Sequence, residues 1–424
     1  MARFIIRGGK RLGGQHTAAG NKNAVLPMLA ACVLTDEVLT LHNVPLIEDV
    51  RSMLEILQQL GVHVTLRGHT VSLCAAGLNK SRLDPELCHR VRSSILFAGP
   101  MAARHGRATI FQPGGDVIGS RRLDPHFDGL RKLGISVTGK QSYSFQRRRL
   151  KGSRILLDEA SVTATENIIM AAVLARGTTT IFNAACEPHV QDLCKMLNKM
   201  GAQISGIGAN YLTICGVELL HGVRYAVSPD YIDTASFIAA AALTGGSLII
   251  KNIPENQLDV IARPFEKLGI KWHVSNHVLS LNANQRFRVQ NDFGAAIPKI
   301  EDGIWPGIPS DVMSVAIVLA TQAKGTVLFF EKMFERRMYF VDRLIEMGAR
   351  IVQCDPHRVI VSGPARLRGT HMASPDIRAG MALVLAALCA KGESVIDNAQ
   401  VIDRGYENIE KELRCLGADI TRVN

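Results

Sequence analysis

Aromatic residues are scarce in this 424-residue chain, at 5%, with two tryptophans. A surface that binds single strands by stacking bases needs such rings, so the composition argues against one. Cys-x-x-Cys spacing is absent too. The nine cysteines (Cys32, Cys74, Cys88, Cys186, Cys194, Cys215, Cys354, Cys389 and Cys415) are odd in number, and several sit in apolar runs. That pattern reads as buried, reduced thiols without a disulfide framework. No His-Glu-x-x-His, clustered Cys/His or calcium-loop spacing occurs, so neither a catalytic metal nor another cofactor is expected. No apolar run approaches the ~18 residues of a membrane helix. The first residues read as a short strand and lack the apolar core of a signal peptide. A cytoplasmic location and no membrane partner are the expectation.

What the chain does have is ample apolar content, 47%, beside 21% charged residues. Its length exceeds the size at which one core stops growing, so two domains of roughly 200 residues are expected. The net charge is 49 − 38 = +11. A polyanionic partner, an anionic small substrate and plain solubility all fit that figure. The basic residues are scattered, and the densest run, Arg147 to Lys151, reads as a solvated turn. Nucleic acid is therefore not indicated.

One pattern recurs six times. An amphipathic helical stretch ends in Leu-Gly or Met-Gly and runs into an alternating strand, with the glycines at 61, 134, 201, 269, 348 and 417. Glycine suits a helix end that closes in the left-handed region. Between these glycines lie helices rich in small apolar residues, as in Ser236 to Leu243, Ile169 to Ala175 and Ala382 to Ala390. Helices apolar on nearly all sides are buried on all sides. Each unit of about 70 residues offers two helices and about four strands, and a repeat of that length is the signature of a modular architecture. The fold class is α/β, with compact three-fold lobes preferred over a solenoid.

Several polar groups stand at helix entrances. Lys22, between Asn21 and Asn23, can meet an anion there or lie on the surface beside a capping Asn. The Pro113 to Arg122 loop is rich in glycine, and it carries Asp116, Arg121 and Arg122. It is either a ligand-covering loop or a flexible connector. It lacks the Gly-Lys-Ser/Thr ending of a triphosphate loop. Asp311 after Pro309-Ser310 reads as a helix cap or a functional carboxylate. Asp376 with Arg378, Asp403 with Arg404, and Glu335 with Arg337 read singly as ion pairs.

Taken together these fragments resemble the enolpyruvyl transferases, in the branch acting on UDP-N-acetylglucosamine. The resemblance runs along the whole chain. It rests on Gly20 to Pro27, the Pro113-Gly114-Gly115 loop with Ile118-Gly119 and Arg121, Ser161-Val162 with Ala164-Thr165, and Pro229-Asp230. It continues with Pro309-Ser310-Asp311, Phe334-Glu335 with Arg337, Asp376 with Arg378, and Ile402 to Glu407. It implies a two-lobed inside-out α/β barrel of six βαβαββ units, three per lobe. The lobes are expected over residues 21–231, and over 1–20 joined with 232–424.

The implied reaction moves the enolpyruvyl group of phosphoenolpyruvate to the 3-hydroxyl of UDP-N-acetylglucosamine and releases phosphate, opening peptidoglycan precursor synthesis for the cell wall. The resemblance puts phosphoenolpyruvate on Lys22, Arg121, Arg337, Arg378 and Arg404, with Arg92 nearer the nucleotide sugar. It puts Asn23 and Asp311 on the sugar, and Asp124, Ser161, Val162 and Met333 along the UDP pocket. Asp311 is implied as the base, Asp116 as the acid, Arg404 and Lys22 as stabilisers of the leaving anion, and Asp376 as an orienting group. It fixes no oligomeric state. Many relatives carry Cys where this chain has Asp116. Thr163, Arg122, Pro125, Arg336 and Ala235 also depart from the common pattern, mostly near acceptor recognition. The alternative is a paralogous transferase acting on a different UDP-sugar or nucleotide.

Overall fold

The computed structural model describes residues 2–424. Alternating apolar strands and small-residue helices assemble six copies of one sheet pattern. In each, a short strand or bridge lies parallel to the strand that follows a buried helix, and that strand carries an antiparallel pair on its other side. Arg154–Leu156, Thr178–Phe182, Tyr211–Cys215 and Gln203–Ser205 form one such sheet. Lys299–Glu301, Gly325–Phe330, Arg358–Gly363 and Ile351–Asp355 form another. In one copy the parallel strand shrinks to a single bridge between Arg82 and Thr109 beside a three-stranded sheet.

The chain splits into two compact units. One comprises Gly20–Asp116 with Arg121–Ser228, and the other Met1–Ala19, Val117–Ser120 and Pro229–Asn424. Each has its own apolar core. Each is also closed by a strand distant in sequence. In the first, Arg224–Ala226 pairs parallel with Leu39–His42. In the second, Arg3–Arg7 is inserted between Glu393–Asp397 and Asp419–Val423.

At the centre of the second unit the helices Tyr231–Leu243, Ser310–Gln322 and Ile377–Cys389 pack against one another. In the first unit, Lys22–Ala31, Ala98–His105 and Val162–Ala172 occupy the corresponding places. Alanine and other small side chains allow this close approach, and sheets surround the helices, which explains their apolar character all round.

The six outer helices are amphipathic, and the six repeat glycines end them. Their φ values are 99°, 89°, 102°, 87°, 100° and 103° for Gly61, Gly134, Gly201, Gly269, Gly348 and Gly417. Any Cβ there would be penalised. All nine cysteines are free thiols; four are buried, but Cys354 and Cys415 are exposed, so burial is not their common feature. Among the described residues no helix is long and apolar enough to cross a membrane.

Candidate active site

In each unit some of the polar residues singled out from the sequence stand at the N-terminal ends of central helices: Lys22 and Ser161 in the first, Asp311, Asp376 and Arg378 in the second. Free N–H groups and the positive end of the helix dipole favour anions there.

In the second unit, Asp230 caps Tyr231–Leu243 by accepting from Ile232 N at 2.7 Å. Asp376 caps Ile377–Cys389 by accepting from Arg378 N at 2.9 Å and Ala379 N at 3.0 Å. Asp311 behaves differently. It lies in the first turn of Ser310–Gln322, a helix without a side-chain cap, and its carboxylate is engaged by two guanidinium groups. Arg337 Nη2 donates to Oδ1 at 2.6 Å, and Arg378 Nη2 lies 3.3 Å from Oδ2. Arg337 also donates from Nε to Ser310 Oγ at 3.2 Å and approaches Asp376 at 3.9 Å.

Both arginines are buried. Burial opposes the Arg378 charge, but Asp311, Tyr406 and Asp230 more than offset it and hold its pKa above the usual value. The Arg378 guanidinium lies 5.5 Å over the Tyr406 ring, whose hydroxyl bonds Ser236 Oγ at 2.8 Å.

The Asp403 to Tyr406 run divides its labour. Asp403 pairs with Arg422 on the last strand. Gly405 approaches helix Ile377–Cys389 so closely that a Cβ would strike the Ile377 side chain. Tyr406 turns inward, and Arg404 ends the short turn Ala399–Arg404 half-buried. Met333 is 40% exposed. Segment Val117–Ser120 lies on the turn bearing Arg337: Arg336 N donates to Ile118 O at 2.9 Å, and Ser120 N to Glu335 at 3.1 Å.

In the first unit, Asn21 caps Lys22–Ala31 by accepting from Ala24 N at 3.1 Å. Lys22 is no surface residue. It is 8% exposed, with Nζ 2.8 Å from Asp49, and Asn23 beside it is half-buried. Arg92 donates to Arg121 O at 2.5 Å. Burial and the neighbouring Arg121 charge push Arg92 down to about 10, against a smaller pull from Glu159. Two guanidinium groups so close favour an anion between them.

Gly114 and Gly115 pack on this segment. A Cβ on Gly114 would strike His89 O, and one on Gly115, at φ +103°, would meet Arg92 Cβ at 2.9 Å. These glycines are therefore required by close approach as well as by flexibility, and Asp116, which follows them, is half-buried. Ser161 precedes Val162–Ala172 without a side-chain cap, and Asp124 is exposed and paired with Arg122 at 2.7 Å.

Sequence reasoning missed Asp49 as the partner of Lys22, Asp230 and Tyr406 as partners of Arg378, and a buried carboxyl pair, Glu331 with Asp302. For the last a signal existed. Strand alternation turns Val327 and Phe329 inward, and the same period reaches Glu331. Ile300 leads to Asp302 in the same way, and all five residues are at most 1% exposed.

A fold of six repeated sheets around two sets of three helices, with cations at the helix entrances, is that of the carboxyvinyl transferases. The chain belongs to the EPSP synthase (3-phosphoshikimate 1-carboxyvinyltransferase) family, whose model matches residues 6–413. Within it, the chain is 51% identical over 99% of both lengths to the UDP-N-acetylglucosamine 1-carboxyvinyltransferase of Treponema denticola. It is 50% identical to the enzyme of that name from Bradyrhizobium diazoefficiens, covering 99% of this chain and 98% of the relative. Among solved structures, the enolpyruvyl transferase NikO of Streptomyces tendae shares the fold with a TM-score of 0.88 at 23% identity, covering 100% and 99% of the two chains. The EPSP synthase of Acinetobacter baumannii shares it at 0.78 and 18%, with both chains fully covered.

Proposed function

We propose that this chain transfers the enolpyruvyl group of phosphoenolpyruvate to the 3-hydroxyl of UDP-N-acetylglucosamine with release of phosphate. The observation that carries the reading is full-length identity of about half with relatives bearing that acceptor's name, in a chain whose cations stand at helix entrances. The paralogue alternative draws only on structures too distant in sequence to speak for more than the fold.

Phosphoenolpyruvate carries a phosphate and a carboxylate, so it needs several cations. Lys22 and Arg121 from the first unit, and Arg337, Arg378 and Arg404 from the second, are assigned to it. Arg supplies planar, paired donors and Lys a point charge. Asn23, Arg92, Asp124, Ser161, Val162 and Met333 are assigned to the nucleotide sugar.

In the addition step Asp116 protonates the methylene carbon, and the adjacent carbon takes up cationic character. The sugar oxygen attacks that carbon while Asp311 accepts its proton. The tetrahedral intermediate then returns a methyl proton to the Asp116 carboxylate as phosphate leaves, which restores the carbon–carbon double bond, and Lys22 and Arg404 stabilise the growing charge of the phosphate. Asp376 orients Arg337, and closure of the 113–122 loop over the substrates is assigned to the exclusion of water. The reaction needs no metal or cofactor, and the cytoplasm supplies both substrates.

The test is phosphate release from phosphoenolpyruvate against a panel of UDP-sugars and shikimate 3-phosphate. Release with UDP-N-acetylglucosamine alone supports the reading. Release only with another acceptor transfers the assignment to a paralogue.

A further inference from the structure

Parallel strands Lys299–Glu301 and Gly325–Phe330 pair Ile300 with Phe329 and Glu301 with Phe330. Continued by one residue, that register sets Asp302 opposite Glu331, and both side chains turn inward, at 1% and 0% exposure. Two carboxyl groups facing each other in an apolar core break the rule that like charges are kept apart across strands. Such a violation is expected where function compensates for it.

Glu331 has defined partners. Ser310 Oγ donates to its carboxyl at 2.9–3.0 Å, and Met333 N and Phe334 N donate at 3.2 and 3.1 Å. Asp302 accepts from Lys332 N at 2.5 Å. Burial, then the contact with Asp302 and its charge, raise Glu331 well above the carboxylate range, against Arg337 and Ser310.

A serine hydroxyl has one proton. With that proton given to Glu331, Ser310 presents only lone pairs to Arg337, and Nε fills one of them. The same guanidinium then reaches Asp311 with Nη2. The donor direction is thus uniform, from Arg337 to Ser310 to Glu331.

We propose that Glu331 is a positioning residue for the transferase reaction: through the Ser310 hydroxyl it fixes the guanidinium of Arg337, and with it the carboxylate of Asp311. The proposal rests on the assignment of Arg337 and Asp311 to substrates made above. Glu331 touches neither reacting atom, and its effect is exerted through Arg337.

A purely architectural Glu331, capping the 331–334 turn, is the competing account. Ser310→Ala separates the two, because it removes the relay and leaves the cap and the pairing with Asp302 in place. Wild-type turnover with phosphoenolpyruvate and UDP-N-acetylglucosamine is measured first; its absence sinks the functional reading and is recognisable apart from the relay.

With an active wild type, Ser310→Ala is expected to lower kcat/KM for phosphoenolpyruvate by about 10²-fold, the cost of a small misplacement. KM for the nucleotide sugar and the melting temperature should stay near wild type. Ser310→Thr, which keeps a hydroxyl, should restore most of the loss. Glu331→Gln combined with Ser310→Ala should be no worse than the poorer single variant. Wild-type kinetics in Ser310→Ala, no rescue by threonine, or losses that multiply in the double variant would each overturn the proposal.

Discussion

Arg337 holds Asp311 from the buried side: the donor side chain is 3% exposed and the acceptor 25%. Arg378 approaches the second oxygen from an equally enclosed position. The two guanidinium groups thereby fix the carboxylate in direction and leave it partly exposed.

Asp311→Asn should therefore separate chemistry from binding. Loss of the base is expected to lower kcat by about 10²–10⁴-fold. The amide oxygen still accepts from Arg337, so the site keeps its shape in part and UDP-N-acetylglucosamine should still bind in equilibrium titration. Turnover within a few fold of wild type would remove Asp311 from the role of base.

Much of this arrangement was readable before any coordinates, because it rests on short-range rules. The six capping glycines announce themselves by their Leu-Gly and Met-Gly neighbours, and all six have positive φ. The apolar helices follow from composition alone. Pairings between distant segments were not readable. Asp49 meets Lys22 from another helix, Arg422 on the last strand pairs with Asp403, and Tyr406 reaches Ser236 across the unit. Nothing in local periodicity encodes those meetings. Glu331 lies between the cases, since strand alternation pointed it inward, although its partner follows only from sheet register.

A second prediction concerns stability and pH. His16 is buried, stacks on Phe237 with ring centroids 3.5 Å apart, and lies 2.8 Å from Asp233 and 3.4 Å from Glu412. Burial works against its charge, but the two carboxylates reverse that and push it up to about 9. A folded-state pKa above the unfolded value stabilises fully below the unfolded one, near 6.5, and the gain disappears as pH rises through about 9. Over that window the linkage amounts to about 3 kcal/mol. Urea melts between pH 6 and 10 should show stability falling with pH, and His16→Gln should flatten the curve. An equal slope in both proteins would assign the dependence to other groups.

The cap glycines permit a graded test. At Gly417 an added Cβ would meet nothing closer than Arg11 O at 3.4 Å, so only the left-handed backbone is penalised. Gly417→Ala should cost about 1–2 kcal/mol. At Gly134 a Cβ would also strike Arg149 O, so Gly134→Ala should cost more. Denaturant midpoints for the two variants provide the comparison, and equal losses would show that the Arg149 segment simply moves aside.

Asp116 gives the clearest chemical contrast. A carboxyl group can deliver a proton to a methylene carbon, as the proposed acid must, but it cannot match a thiolate as a nucleophile toward an epoxide. The epoxide antibiotic fosfomycin should therefore fail to label this protein, even with UDP-N-acetylglucosamine present to favour closure. Asp116→Cys places a thiol one residue after Gly115, which packs on Arg92, and a neighbouring positive charge favours the thiolate. That variant should gain one covalent adduct by mass spectrometry while retaining turnover, because a thiol can also serve as the acid. Asp116→Asn, which offers neither proton nor nucleophile, should lose turnover and remain unlabelled. Labelling of the wild-type chain at residue 116 would contradict the assignment directly, and full activity in the asparagine variant would move the acid elsewhere.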